Sequence, residues 1–449
     1  MAGQGLRWAG MRTANRVRTP ERAAVAEGER TAALVRQLVD QLAQMRGAAM
    51  KVGQMISMIE FDGLPDDERE ELQRRLAALR DDVPPVRFAD LEKMMRKEFG
   101  GPLARVFSDF DEQAFAAASI GQVHRARTVD GEEVAVKIQY PGVAEAVETD
   151  LRNANLLLPL LKRLAPGLDA RALAGEMRER ISEELDYELE AQNQRGIERL
   201  MRGHPFVFVP RVRTDLSTRR VLVSEFVEGE GFEAVRRAGE GQRDRYGEIV
   251  FRLHFGLLYR DRIALGDPHP GNYLLTADGR VCFLDFGLVR HVAAARVAAE
   301  RAIALAVREG DAAGVKAALL SGGYLPAGRA GSVDADFALA LMRAAIGWYA
   351  VPGYRRFSPE GDHREEEREA RDSEERAAMR MQVNQFSLPP EAILIRRMHG
   401  ILAIVLHQLR AGADWGAIAA EYLHGAPPAT PLGEAEAEFF AGRRPPRGA

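Results

Sequence analysis

Three hard-oxygen side chains, Asp267, Asn272 and Asp285, cluster within twenty residues of this 449-residue chain. In "GDPHPGNYLLTADGRVCFLDFG" (266–287) an aspartate is followed five residues later by an asparagine, and a second aspartate opens Asp285-Phe286-Gly287. A Mg²⁺ ion asks for hard oxygen ligands in near-octahedral geometry, typically one or two carboxylates with phosphate oxygens completing the shell. Asn272 and Asp285 can supply such oxygens, which leaves Asp267 to orient a nucleophile or contact a metal-bound phosphate. Further upstream, Val134-Ala135-Val136-Lys137 closes an alternating segment with a cation suited to phosphate oxygens.

These pieces stand in the chain order of protein-kinase signatures: a strand lysine, an aspartate with an asparagine five residues on, then D-F-G. Such a lysine is held by a carboxylate on a helix. "ISEELDYELEAQN" (181–193) places Glu184, Asp186 and Glu190 on one predicted helix, with Glu184 and Glu190 too far apart in phase to share one narrow face. In "VLVSEFVEGE" (221–230), Ser224 leads into Glu225-Phe226-Val227, and the backbone of Glu225 and Val227 would bond adenine as a hinge does. Where a glycine-rich phosphate loop is expected stand Ala116, Ala117, Ala118, Ser119, Ile120, Gly121 and Gln122. His269, set between two prolines, reads as a rigid structural residue and not a ligand. After D-F-G the chain runs into a helix-like stretch without an A-P-E motif, so the platform that displays a peptide substrate looks missing.

The elements that must position these residues follow from periodicity and turn chemistry. Segments 31–45 and 88–99 read as helices, with a helix start at 65–68. Two alternating runs, 122–126 and 133–137, flank a turn at 128–131 and predict a hairpin. A long helical stretch covers 143–202, interrupted near Pro159 and Pro166. Runs 207–212 and 221–226 read as strands joined by a turn, 243–259 as a helix, and 273–284 as a short hairpin around Gly279. All that follows residue 289 reads as helical except 355–375, whose charge and low apolarity predict a mobile loop. The expected fold class is α+β, a bilobal protein-kinase-like fold with an N-terminal helical extension and a largely helical C-lobe. Its expected domains are a flexible basic N-terminus (1–29), a helical extension (30–104), a kinase-like N-lobe with a helical insert (105–228) and the C-lobe (229–449).

Composition narrows the partners. A net charge of −4 lacks the basic excess of a dedicated nucleic-acid binder, so no nucleic-acid partner is expected. A single cysteine, Cys282, rules out an intramolecular disulfide and fits a reducing, cytoplasmic compartment. Apolar runs near 156–161 and 400–406 are short and flanked by charge, so no spanning helix is expected. The first twenty residues carry four arginines and no acid, read as a solvated tail, with attraction to an anionic membrane surface as the alternative.

The ordered motifs resemble the UbiB/AarF family of atypical kinase-like proteins, linked to ubiquinone (coenzyme Q) biosynthesis. The resemblance adds Lys51-Val52-Gly53-Gln54 (the family's K-x-G-Q) and Glu184-Leu185-Asp186-Tyr187 to the motifs above, and runs from about residue 33 to 288. It implies Lys137–Glu190 as the kinase-type ion pair and Lys51–Glu184 as a family-specific pair, with the K-x-G-Q helix across the active cleft. It also implies Asn272 and Asp285 as metal ligands, Asp267 at the catalytic position, and ATP or ADP with Mg²⁺ as cofactors. Quinone-lipid intermediates and quinone-biosynthesis proteins are the implied partners, and a peripheral position on an inner membrane face the implied alternative to a soluble one. The chain departs from the pattern at Leu265-Gly266, where kinases have His-Arg and many family members a histidine. A Cβ throughout an alanine-rich turn holds backbone further from phosphates than glycine would, and the resemblance implies that such a loop tunes nucleotide binding toward ATPase-like activity.

Overall fold

The structure is a computed structural model that describes residues 86–118, 120–154, 185–266, 268–357, 382–383 and 385–443. Lys51, Ser119, Glu184 and Asp267 lie outside the described residues, as do the predicted elements at 31–45 and 65–68. The chain divides into two compact units: residues 1–189 with 213–223, and 190–212 with 224–449.

The first unit contains helix α1 (Phe88–Glu98), then strands β1 (Phe107–Phe110), β2 (Ala116–Ala118), β3 (Gly121–Thr128) and β4 (Glu133–Gln139), and helix α2 (Val143–Ala154). The predicted hairpin is present, with Gly121 opposite Gln139 and Arg127 opposite Glu133. Its turn is closed by Gly131 at φ +89°, a left-handed conformation that glycine adopts without steric cost. Helix α3 (Tyr187–Met201) starts in this unit and continues into the second. After β5 (Val207–Phe208), strand β6 (Val221–Glu225) completes a five-stranded sheet in the order β1-β3-β4-β6, with β2 paired to β3. Alternation along β4 buries Val134, Val136 and Ile138, which with Met94, Met95, Phe107 and Val223 form this unit's core.

The second unit adds β7 (Glu230–Gly231), α4 (Phe232–Arg237), α5 (Glu240–Tyr259), β8 (Ile263–Leu265), β9 (Tyr273–Leu275), β10 (Val281–Phe283) and β11 (Val289–His291). Then come α6 (Ala294–Glu309), α7 (Ala312–Ser321), α8 (Ala335–Ala350), β12 (Arg355–Arg356), α9 (Pro390–Leu409), β13 (Gly412–Ala413), α10 (Trp415–His424) and α11 (Pro431–Ala441). From Ile249 to Tyr259 the helix α5 is buried without interruption, so it is the axis of this core.

Several sequence expectations change. Strands β5 and β6 belong to different sheets, because β5 pairs in parallel with β10, Val207 opposite Val281. Only a single bridge, Val212 to Ser224, remains of the expected pairing. An apolar, β-branched run marks a strand but not its partner. Asp186 does not sit on the helix with Glu190. Its carboxylate accepts from the amides of Glu188 and Leu189, so it caps the first turn of α3. The region after 289 is not all helical, since β11 pairs with β8 and β12 with β13. Of the predicted mobile loop, Arg355 and Arg356 form β12, and 358–375 lie outside the described residues. Finally, α9 is long and apolar enough to cross a membrane by length and composition, against the expectation of only short apolar runs. Half of that apolar window is buried within the unit, where Ile395, Met398, Leu402 and Leu406 join the core.

Candidate functional site

In the first unit the alanine-rich segment forms a tight β-hairpin. Ala116 faces Val123, Ala117 faces Gln122 and Ala118 faces Gly121. Ala116 and Ala117 are exposed, whereas Ile120 is buried and its carbonyl accepts the Tyr140 amide at 2.9 Å. A Cβ at Gly121 would lie 2.1 Å from the Ile138 carbonyl oxygen, so the last position of the loop must be glycine even though the others are not. Gln122 points away from the loop: its Oε1 accepts the Val86 amide and its Nε2 donates to His124 Nε2. That narrows its expected nucleotide role to its backbone. His124 in turn donates from Nδ1 to the Asp111 carbonyl, and burial lowers its pKa.

Lys137 sits opposite Val123 in the β3–β4 pair. Its Nζ lies 4.9 Å from the centroid of the Tyr187 ring, within cation–π range.

In the second unit, Glu190 is 5% exposed on α3, and its carboxylate approaches the D-F-G turn. A Cβ at Gly287 would be 3.3 Å from Asp285 Oδ1 and 3.8 Å from Glu190 Oε2. The Gly287 amide donates to Asp285 Oδ1 at 2.9 Å, and Asn193 Nδ2 donates to the Phe286 carbonyl, so α3 holds this turn directly. Asn272 ends a short 3₁₀ turn, Pro270–Asn272, which His269 caps by accepting the Gly271 amide at 3.1 Å, consistent with its expected structural role. The Asn272 carbonyl accepts the Leu284 amide. Asn272 and Asp285 line one pocket together with His254, Leu265, Tyr273, Phe283 and Leu288.

A carboxylate and an amide oxygen in one pocket are the hard-oxygen donor set that Mg²⁺ with phosphate requires, so these residues fit the ion. Among the described residues no group of three or more His, Cys, Asp or Glu forms a metal cluster, and Asp267 is not one of them.

His254 was not singled out in the sequence. It is fully buried on α5, donates from Nδ1 to the Val250 carbonyl at 2.8 Å, and burial pushes its pKa down to about 4. A neutral ring under the Tyr273 and Phe283 side chains results. The only signal would have been one histidine within an otherwise apolar stretch of α5.

The Leu265-Gly266 departure has a steric cause. A Cβ at Gly266 would lie 2.4 Å from both Leu288 and Leu394, and the Gly266 amide donates to the Leu288 carbonyl. A side chain at this position would have to displace the ends of both leucines. After D-F-G, three residues of β11 precede α6, which begins at Ala294.

The far end of α3 is held as well. Arg443 donates to the carbonyls of Leu200, at 2.6 Å, and of Arg202, while Phe439 meets the His204 ring edge-on.

With this geometry in place, residues 78–319 match the ABC1 atypical kinase-like domain. The chain belongs to that family, the UbiB/AarF group of atypical kinases, and its α+β fold is kinase-like. It is 34% identical over 259 residues to the mitochondrial atypical kinase coq-8 of Caenorhabditis elegans, covering 56% of this chain and 34% of that protein. It is 35% identical over 266 residues to the chloroplastic protein ACTIVITY OF BC1 COMPLEX KINASE 1 of Arabidopsis thaliana, covering 57% and 37%. Across these and similar curated relatives the match spans from 34% to 54% of their own length. Among solved structures, Rv3197 of Mycobacterium tuberculosis, determined with erythromycin, superposes with a TM-score of 0.63 at 31% identity, covering 90% of this chain and 98% of that one.

Proposed function

We propose that this chain binds ATP or ADP with Mg²⁺ and acts as an ATPase or small-molecule kinase in support of quinone-lipid biosynthesis. The observation that carries the reading is the shared pocket of Asn272 and Asp285, with the Glu190 carboxylate close to the same D-F-G turn. Asn272 and Asp285 would hold the metal, whose charge would offset that of the phosphates. Lys137 would contact phosphate oxygens, with Glu190 as its ion-pair partner. The Glu225 amide is committed to the Arg211 carbonyl at 2.8 Å, so an adenine edge would be met by the Glu225 carbonyl and by the Val227 amide. Asp267 at the catalytic position and the Lys51–Glu184 pair complete the proposal, as do the four domains set out from the sequence.

Two features weigh against peptide phosphorylation. The chain reaches α6 within a few residues of D-F-G, and position 266 holds glycine, not the arginine that would clamp a phosphorylated segment. A quinone pathway is supported by the relatives' kinship, and a peripheral site on an anionic membrane remains part of the proposal.

The test is phosphate release from Mg-ATP by the purified chain, with and without anionic liposomes, beside Asp285→Asn. Release that depends on Asp285 and rises with liposomes supports an enzyme at a membrane. Mg-nucleotide binding without turnover under every condition supports a nucleotide-binding scaffold instead.

A further inference from the structure

Tyr187 closes the Glu184-Leu185-Asp186-Tyr187 motif. It is 1% exposed and stands at the first position of α3. Three anchors fix it there. Its amide donates to the Arg219 carbonyl at 3.0 Å, the preceding Asp186 caps the helix, and Gln139 Nε2 donates to the carbonyls of Leu185 and Arg219. Its ring lies under Lys137 Nζ at 4.9 Å. At its other end, the hydroxyl oxygen is 3.0 Å from where a Cβ on Gly121 would be. One rigid side chain thus touches both the strand lysine and the end of the alanine-rich hairpin.

We propose that Tyr187 is a positioning residue for the nucleotide phosphates: its ring holds the Lys137 ammonium in place, and its hydroxyl end backs Gly121, so that lysine and hairpin are held by one wall. The inference rests on the reading that Lys137 meets phosphate. A lysine stem carries about 2 kcal/mol of rotamer entropy. A ring that confines it beforehand removes part of that cost from nucleotide binding. The ring acts through its negative quadrupole face, so electron-poor rings of the same shape should hold the ammonium less well.

The experiment compares Mg-ATP affinity in wild type, Tyr187→Phe, Tyr187→Leu, Lys137→Ala and the double variant Lys137→Ala/Tyr187→Leu. Melting temperatures are measured alongside. Tyr187→Phe should bind within about threefold of wild type, and Tyr187→Leu about tenfold more weakly, in line with the energy of a desolvated cation–π contact. The double variant should bind no more weakly than Lys137→Ala alone. Should Tyr187→Leu fail to fold, pentafluorophenylalanine at 187 keeps the ring and reverses its quadrupole, and it should weaken binding as Tyr187→Leu would. Affinity that ignores fluorination, or additive losses in the double variant, would overturn the role of Tyr187. Unchanged affinity in Lys137→Ala would instead overturn the phosphate reading of Lys137, a separate result.

Discussion

The alanine-rich hairpin of the first unit is built from backbone and small side chains, whereas the pocket of the second unit sets an amide and a carboxylate among apolar and aromatic side chains. In the first, the decisive fact is the absence of an atom: Gly121 has no Cβ where one would collide with the Ile138 carbonyl. In the second, the decisive facts are identities: an amide at 272, a carboxylate at 285, and a second carboxylate at 190 beside the D-F-G turn. A region defined by shape should respond to substitution mainly in stability, and a region defined by chemistry mainly in ligand binding.

The sharpest way to break that contrast is Asp285→Asn. A neutral amide cannot replace a charged hard ligand, so Mg-dependent nucleotide affinity should fall by more than the roughly 10–100-fold typical of losing an outer-shell partner. Calorimetry with Mg-ATP reads it, and an undiminished melting shift would remove Asp285 from any metal site. On the shape side, Gly121→Ala should cost about 2–3 kcal/mol, since the new methyl meets backbone that cannot turn aside. Gly131→Ala has open space around it but a left-handed φ of +89°, and should cost about 1 kcal/mol in the same denaturation assay. A reversed order would mean that the hairpin end is looser than its geometry says.

Acid should separate the units too. Burial lowers the pKa of His254 to about 4 and of His204 to about 3, and holds His399 well below 6.5; all three belong to the second unit, against His124 in the first. For a histidine whose folded pKa is depressed, the unfolded chain takes up the proton first. The contribution is therefore intact above about pH 6.5 and is lost as pH falls toward 4, at most about 3 kcal/mol for His254. Hydrogen exchange between pH 7 and 4.5 should show α5 losing protection before β3 and β4 do. Equal loss in both would undo the contrast.

The smallest effect concerns Ala117. It is exposed, so Ala117→Gly should cost only about 0.5–1 kcal/mol in stability. A change in ADP-versus-ATP preference in that variant would show that the hairpin's stiffness, and not only its outline, shapes nucleotide binding.

How much of this was legible in the sequence follows the same division. Asn272, Asp285 and Glu190 stand out as candidates because the chemistry proposed for them resides in residue type and spacing. The β3–β4 hairpin was equally readable, since alternation and a turn are local. Tyr187 and His254 do not stand out in the sequence, because what marks them is what packs against them: a lysine on β4 in one case, a pocket wall in the other. Strand β5 was recognised as a strand but assigned the wrong neighbour, since its partner lies more than seventy residues downstream, at Val281. Helix α9 looked short because its charged residues broke up the apolar run, although they do not break the helix.

Gly266 bears on how this chain could change over time. Leu288 and Leu394, the two side chains that wall it in, come from segments more than a hundred residues apart, and Leu394 lies beyond the part that matches the family model. A Cβ at 266 would meet the ends of both leucines at 2.4 Å, so any replacement there displaces two side chains at once. The ends of both leucines would have to turn aside together to admit a side chain, and one of them, Leu394, is buried in the core. A single substitution at 266 is therefore felt in two distant segments at once, and the packing couples the residue before position 267 to a helix far along the chain.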